Sequence, residues 1–320
     1  MKKVNTIVVH QNPHLDEIVA VWFLRNFGEE KFPGVSEAKL TTWGRKELSR
    51  TTPEMCAMSG TLLVGLGGGM FDDHQDDGVR KDCAAGLVAK YLGLDKLGKL
   101  KKLINDTYLA DAKCEGELYS KAEEVKNLNR YWVGSIDVER LYAQVEPAIL
   151  AIVARQEEYL EAKKVFYKAY KQEVGPAAIV AVDKLDNRQF QCVARNMGGN
   201  VIVQRNADGL TQIFGFDDLQ MDWLAARIRK HELYASQIKP RHFLSGEYLA
   251  SAGTVPEVPH WHLDRNNLLN GSESFTDVPP SGIPFRELVN LVEKHAWELF
   301  QAKADGQDGE AQPKAEQAVA

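Results

Sequence analysis

The sequence predicts an α/β fold with a parallel sheet, followed by a smaller α+β unit. Three observations carry this: two buried strands that each run into a turn and then a helix, a long helical middle, and closely spaced strand patterns after it. At 320 residues and 44% hydrophobic, the chain is long enough for two cores.

In order, "NTIVVH" is a β-branched run ending at a polar turn, and "PHLDEIVAVWFLRNFG" places Ile18, Val19, Val21, Trp22 and Leu24 at helical spacing before Gly28. "GTLLVGLGGG" (Gly60 to Gly69) reads as a second buried strand entering a glycine turn, with the helix "DCAAGLVAKYLGL" behind it. From Asp95 to about Tyr170 the pattern is helical, with Pro147 expected to kink or break it. "PAAIVAV", "QFQCVAR", "NVIVQR" and "TQIFGF" predict strands, "RNMGGNVIVQR" a hairpin turn, and "LQMDWLAARIRKHELYA" a helix. Lys239 to Pro284, rich in Pro, Gly and Ser, predicts irregular structure before a last amphipathic helix, "FRELVNLVEKHAWELFQAKA". These shifts set a first domain at 1–150, a helical connector at 151–175, a second domain at 176–302 and a disordered tail at 303–320.

A net charge of -6 argues against a dedicated duplex-binding protein, so any nucleic-acid contact must come from a local patch. The four cysteines, Cys56, Cys83, Cys114 and Cys192, show no CxxC pairing and read as ordinary thiols. Lys2 and Lys3 precede too short an apolar run for a signal peptide, and no segment is long enough to span a bilayer, so the expected address is the cytoplasm with no membrane partner. Nothing in the patterning specifies an oligomeric state.

The chemistry concentrates at the two strand ends, where ligands bind in open α/β sheets. "HQNPHLDE" sets His10, His14, Asp16 and Glu17 at the first end. Imidazole and carboxylate without thiolate suit a hard or borderline divalent ion, although Asp16 and Glu17 would also serve as a plain helix N-terminal cap. "GLGGGMFDDHQDDG" places Asp72, Asp73, His74, Gln75, Asp76 and Asp77 at the second end, a crowding of acids that is costly unless cations neutralise it. A solvated acidic loop explains Asp76 and Asp77 well, and explains less well a histidine set between Phe71 and carboxylates. "PHWHLD" alternates His260, His262 and Asp264, which puts all three on one side of an extended segment and within the reach of a metal or phosphate, or of solvent alone. No GxSxG elbow is present, and "GLGGG" lacks dinucleotide-fingerprint spacing.

The first third of the chain resembles the DHH phosphoesterase superfamily, and within it the melanocyte-proliferating-gene exonuclease branch. "HLDE" at 14, "FDDHQ" at 71 and "CAAGLVAKYLG" at 83 follow that branch's motifs in order. The resemblance implies Mn²⁺ or Mg²⁺, with His10 and His14 on one ion and Asp16, Asp73 and a later Asp on the other. Asp111 is the candidate for the later ligand, with Asp106 as the fallback. His74 would face the substrate phosphate as the catalytic histidine, while Asp72, Glu17 and Gln75 stand behind the ligands and orient them. The implied substrate is a phosphorylated small molecule or a single-stranded nucleic-acid end. Two departures stand out: Asp73 replaces the first histidine of the triplet, and Gly65 stands where the family carries the Asp that bridges two metals. The second departure keeps open a catalytically retired protein that binds a nucleotide or metal for regulation. "GRKELSR", "RK" at 80 and "KLGKLKK" are the candidate basic surfaces.

Overall fold

A computed structural model describes residues 2–74, 82–131, 137–216, 219–271, 277–296 and 299. The chain divides into two compact units, Met1–Leu160 and Glu161–Ala320.

The first unit is built on a parallel sheet of order β2-β1-β3, formed by β1 (Thr6–His10), β2 (Lys39–Trp43) and β3 (Thr61–Leu63). The central strand is buried on both faces, as parallel strands are. Ile7 and Val9 enter the large core, while Val8 packs with Cys56, Leu63 and Leu66 on the other side. Between β1 and β2 runs α1 (Leu15–Phe27), buried at every position from Leu15 to Leu24. After β2 come α2 (Arg45–Leu48) and α3 (Pro53–Ser59), the latter capped by Thr52, whose side chain accepts the Met55 amide.

β3 leads into a turn in which Gly65, Gly67 and Gly68 all have positive φ, a conformation that glycine adopts without a Cβ penalty. The Gly65 amide donates to the Phe71 carbonyl at 2.9 Å, and Phe71 anchors the exit of the turn by packing against Phe32 and Tyr91. α4 (Ala84–Leu92), α5 (Gly98–Tyr108) and α6 (Tyr119–Tyr131) follow. α7 (Val138–Lys168) runs through Pro147 as one helix of 31 residues, so the expected break does not occur. The second strand of the sheet, β2, was not expected from the sequence.

The second unit carries a seven-stranded mixed sheet of order β4-β5-β6-β7-β10-β9-β8. Its strands are β4 (Tyr170–Val174), β5 (Ala177–Val182), β6 (Val201–Arg205), β7 (Thr211–Gly215), β8 (Gly253–Val255), β9 (Val258–Asp264) and β10 (Asn267–Leu269). "QFQCVAR" is not a strand but lies in α8 (Phe190–Asn196). β5 and β6 are parallel, so the chain must cross over between them, and the Gly198–Gly199 segment ends that crossover helix instead of making a hairpin. The region from Lys239 to Pro284 is also more ordered than its composition suggests, since it supplies α10 (Gly246–Leu249), β8, β9 and β10. α9 (Asp222–Ala235) and α11 (Phe285–His295) complete the unit.

On the inner side of α9, buried Arg229 donates to the carbonyls of Leu249, Ser251, Gly253 and Trp261, and Glu232 accepts the Trp261 indole N–H at 2.8 Å. Among the described residues no helix is long and apolar enough to cross a membrane.

Candidate metal centre

The loop from β1 to α1 is organised by one carboxylate. Glu17, in the first turn of α1, accepts the His10 amide on Oε1 and the His14 amide on Oε2, both at 2.8 Å. Its Oε1 also lies 3.0 Å from His10 Nδ1, which raises His10 above the ordinary imidazole value. With Nδ1 turned to Glu17, Nε2 is the His10 nitrogen offered to a ligand, the arrangement in which a carboxylate sets the tautomer of a metal-binding histidine. The buried Asn129 side chain on α6 closes the loop from outside by donating to the Pro13 carbonyl at 2.7 Å.

Asp16, one residue earlier, is turned the other way. Its Oδ2 accepts the Ala84 amide at the N-terminus of α4, at 3.0 Å. Glu17 therefore caps its own helix, as the plainer reading of the sequence allows, whereas Asp16 caps α4 and not α1. Asp16 also stands among other acids: burial, and then the carboxylates of Asp111, Glu17 and Asp73, push it up to about 8.

Asp111 comes from a π-helical turn, Leu109–Lys113, that ends α5 and is stopped by Cys114 at φ 54. Such turns are found at functional sites because the extra residue re-aims a side chain. His14 Nδ1 is 3.7 Å from Asp111 Oδ1, and that carboxylate raises the His14 pKa.

Asp72, Asp73 and His74 emerge from the glycine turn. Asp72 fastens the turn by accepting the Gly68 amide at 2.7 Å and the His74 amide at 3.0 Å. His74 Nδ1 lies 3.3 Å from Asp72 Oδ1 and 3.5 Å from Asp73 Oδ1, and its ring meets His10 edge-on with centroids 5.8 Å apart.

Two donor groups result, His14 with Asp16 and Asp111, and Asp72 with Asp73 and His74, the donor atoms of each lying within 4.8 Å of one another. His14, implied beside His10 on one ion, thus stands with two of the carboxylates assigned to the other. Five of these six residues, with His10, Arg45 and Gly65, line a cleft of about 410 Å³, while Asp72 does not line it.

The donors fit a divalent cation. They are oxygen and imidazole groups, and the one cysteine nearby, Cys83, has its thiol pushed up by burial, which disfavours a thiolate ligand. A buried carboxylate raised toward neutral pH by burial and by neighbouring acids, as Asp16 is, is also an arrangement that a bound divalent ion relieves.

No family model matches the chain, and neither does any curated protein. Among solved structures it is similar to a crystal structure of an uncharacterized protein from Helicobacter pylori G27, at 11% identity. That match covers 94% of this chain and 100% of the other, with a TM-score of 0.25.

The remaining expected residues lie elsewhere. Asp106 pairs with Lys102 at 2.7 Å and, among the described residues, belongs to no donor group. Gln75, Asp76, Asp77 and "RK" at 80 lie outside the described residues. Among the described residues His260, His262 and Asp264 form no donor group, because buried His260 points toward Ser236 while His262 bonds Thr254. In "KLGKLKK", Lys99 pairs with Glu157, and Lys102 also reaches Glu117.

Arg45, whose role the sequence left open within "GRKELSR", is brought to the cleft by β2. The parallel register sets Trp43 opposite His10, so the residues just past β2 emerge beside the first motif. The space over Gly65 is filled by Glu17: a Cβ at Gly65 would lie 2.9 Å from Glu17 Cγ and 3.1 Å from its Cδ and Oε1. A carboxylate side chain at position 65 and Glu17 in its present place exclude one another.

Proposed function

We propose that the first unit is a Mn²⁺- or Mg²⁺-dependent phosphoesterase of the DHH type, hydrolysing a phosphodiester or phosphoanhydride of a nucleotide or of a single-stranded nucleic-acid end. The observation that carries this reading is the convergence of two carboxylate and histidine donor groups on one cleft that also holds an arginine. His14, Asp16, Asp73 and Asp111, with His10 through Nε2, would hold the metal. When bound, the ion supplies Lewis acidity that lowers the pKa of water and offsets charge developing on phosphoryl oxygens.

The protein's own groups do the rest. Arg45 lines the same cleft, and its planar guanidinium would suit two phosphoryl oxygens of a bound substrate. Glu17 holds His10 in one tautomer, and Asp16 is held by the α4 amide, so these donors meet the substrate without rearranging. His74, whose Nδ1 lies 3.3 Å from Asp72 Oδ1, would give a proton to the leaving oxygen.

A second reading, a retired site that binds a nucleotide or metal for regulation, is favoured by Gly65, which supplies no bridging carboxylate. Hydrolysis of bis-p-nitrophenyl phosphate with Mn²⁺, alongside calorimetric titration of Mn²⁺, separates the two. Turnover that rises with Mn²⁺ and is lost in Asp111→Asn is expected. Metal or nucleotide binding without turnover under any divalent ion would overturn the enzyme reading.

A further inference from the structure

The second unit has a cleft of about 450 Å³ between the outer side of α9 and the segment leading into α10. Arg229 and Glu232 are buried on the inner side of α9, so the opposite stripe faces outward: Trp223, Lys230 and Tyr234, spaced seven and four residues apart. The facing segment, "KPRHF", is exposed from Lys239 to Phe243. Trp223 is 49% exposed, Tyr234 73% and Phe243 90%, which is unusual for rings of their type.

The segment is tethered beside the ring it carries. His242 Nε2 lies 3.4 Å from Glu257 Oε1, and Glu257 also accepts the Tyr248 hydroxyl at 2.8 Å. Presenting Phe243 to a partner therefore needs little further ordering. Lys239 and Arg241 lie within four residues of Phe243, Lys230 faces them from α9, and among the described residues no carboxylate lines the cleft.

Exposed rings with cations around them match the boundary between the headgroups and acyl chains of an anionic membrane. Trp and Tyr settle at that boundary, Phe enters below it, and Lys and Arg lay their stems along it with their charges among the lipid phosphates. The local excess of cations is what such a surface requires of this chain, whose net charge of -6 would otherwise be repelled by anionic lipid. An acidic peptide would satisfy the cations, but a ring that stands 90% exposed offers a narrow ligand little more than an edge, whereas a lipid interface surrounds it.

We infer that this face attaches the protein peripherally to an anionic lipid surface, with Phe243 and Trp223 entering the interface and Lys230, Lys239 and Arg241 on the lipid phosphates. Such attachment goes beyond the phosphoesterase reading and does not depend on it. The sequence pointed to no membrane partner because it offers no apolar span, a criterion that surface adsorption does not need to meet.

The test is co-sedimentation of the full chain with vesicles of phosphatidylcholine alone and of equal parts phosphatidylcholine and phosphatidylglycerol. Binding to the anionic vesicles that weakens with salt, and little binding to the neutral ones, is expected. F243S should lower the partition coefficient about tenfold, the scale of withdrawing one aromatic ring from an apolar environment. K239Q/R241Q should lower it about twentyfold, since each cation near an anionic surface contributes about fivefold. Lipid brominated on its acyl chains should quench tryptophan emission in the parent, and W223F should lose most of that quenching. Thermal melts of the variants should match the parent, since these side chains are exposed. No sedimentation with anionic vesicles, or sedimentation unchanged in both F243S and K239Q/R241Q, would overturn the inference. So would a parent that ignores vesicles but binds polyglutamate, or that forms a dimer which F243S dissolves, results that would assign the face to an acidic peptide or to a second copy of the chain.

Discussion

Asp16→Asn should reduce Mn²⁺-dependent phosphoesterase turnover by about 10³-fold, the scale expected when several kcal/mol of transition-state charge stabilisation is lost. The fold should survive, because the Asn carbonyl oxygen can still accept the Ala84 amide. The same variant reports on the charge balance of the metal-free protein. Asp16 has an ordinary value of 3.8 and is raised to about 8 in the folded chain, so the folded state holds this proton more tightly than the unfolded one. The stability this supplies is complete below about pH 4, declines as pH rises through the window, and is gone above about pH 8.

Metal-free wild type should therefore melt at a lower temperature at about pH 9 than at about pH 5, and Asp16→Asn should flatten that dependence. Mn²⁺ should raise the wild-type melting temperature most at the alkaline end, where protons no longer compete for the donors, and should do little for the variant. Differential scanning calorimetry across pH, with and without Mn²⁺, reads all of this. A wild-type curve with no pH-dependent gain from Mn²⁺ would mean that the crowded carboxylates are not a cation site.

Gly65→Ala should destabilise the protein by roughly 3 kcal/mol, combining the cost of a Cβ at positive φ with disturbance of the charged hydrogen bonds made by Glu17. Gly65 sits at φ 72, and the new methyl would meet Glu17 Cγ at 2.9 Å. Pushing Glu17 aside releases the His10 and His14 amides together, so the loop carrying both histidines loosens and activity falls with stability. Glu17→Ala should itself be destabilising, but in that background Gly65→Ala should cost about 1 to 2 kcal/mol less, the coupling expected of groups in direct contact. Chemical denaturation of the two single variants and the double variant measures this, and strictly additive costs would refute the proposed interlock. By the same reasoning Gly65→Asp alone does not create a bridging ligand, because Glu17 already occupies the place its side chain would enter.

Much of the first unit was legible because its signals are local. The apolar run of β1, the helically spaced apolar residues of α1 and the glycines before Phe71 each specify one conformation, and the polar residues at the two strand ends follow from them. What escaped was set by tertiary pairing. β2 has only Leu40 buried, so its sequence carries little strand pattern, and without β2 nothing placed Arg45 beside His10. "QFQCVAR" alternates like a strand, yet the parallel pairing of β5 and β6 demands a crossover, and the segment forms α8. Of the strands after Lys239, β8 and β10 are only three residues long, and the longer β9 lies between them in the sheet.

In the candidate site, residue types pointed to the donors, but their grouping depended on geometry. Glu17 could be read as a cap; that its carboxylate also takes the space over Gly65 required the backbone of the glycine turn. The π-helical turn that separates Asp111 from Asp106 likewise has no marker in "NDTYLADAK".

The most direct measurement is an anomalous difference map at the manganese edge from crystals of the full chain soaked in Mn²⁺. The account predicts a peak among His14, Asp16 and Asp111, inside the cleft shared with His10, Asp73 and His74. A map with no peak in that cleft at saturating Mn²⁺, or with peaks only on surface carboxylates, would contradict it.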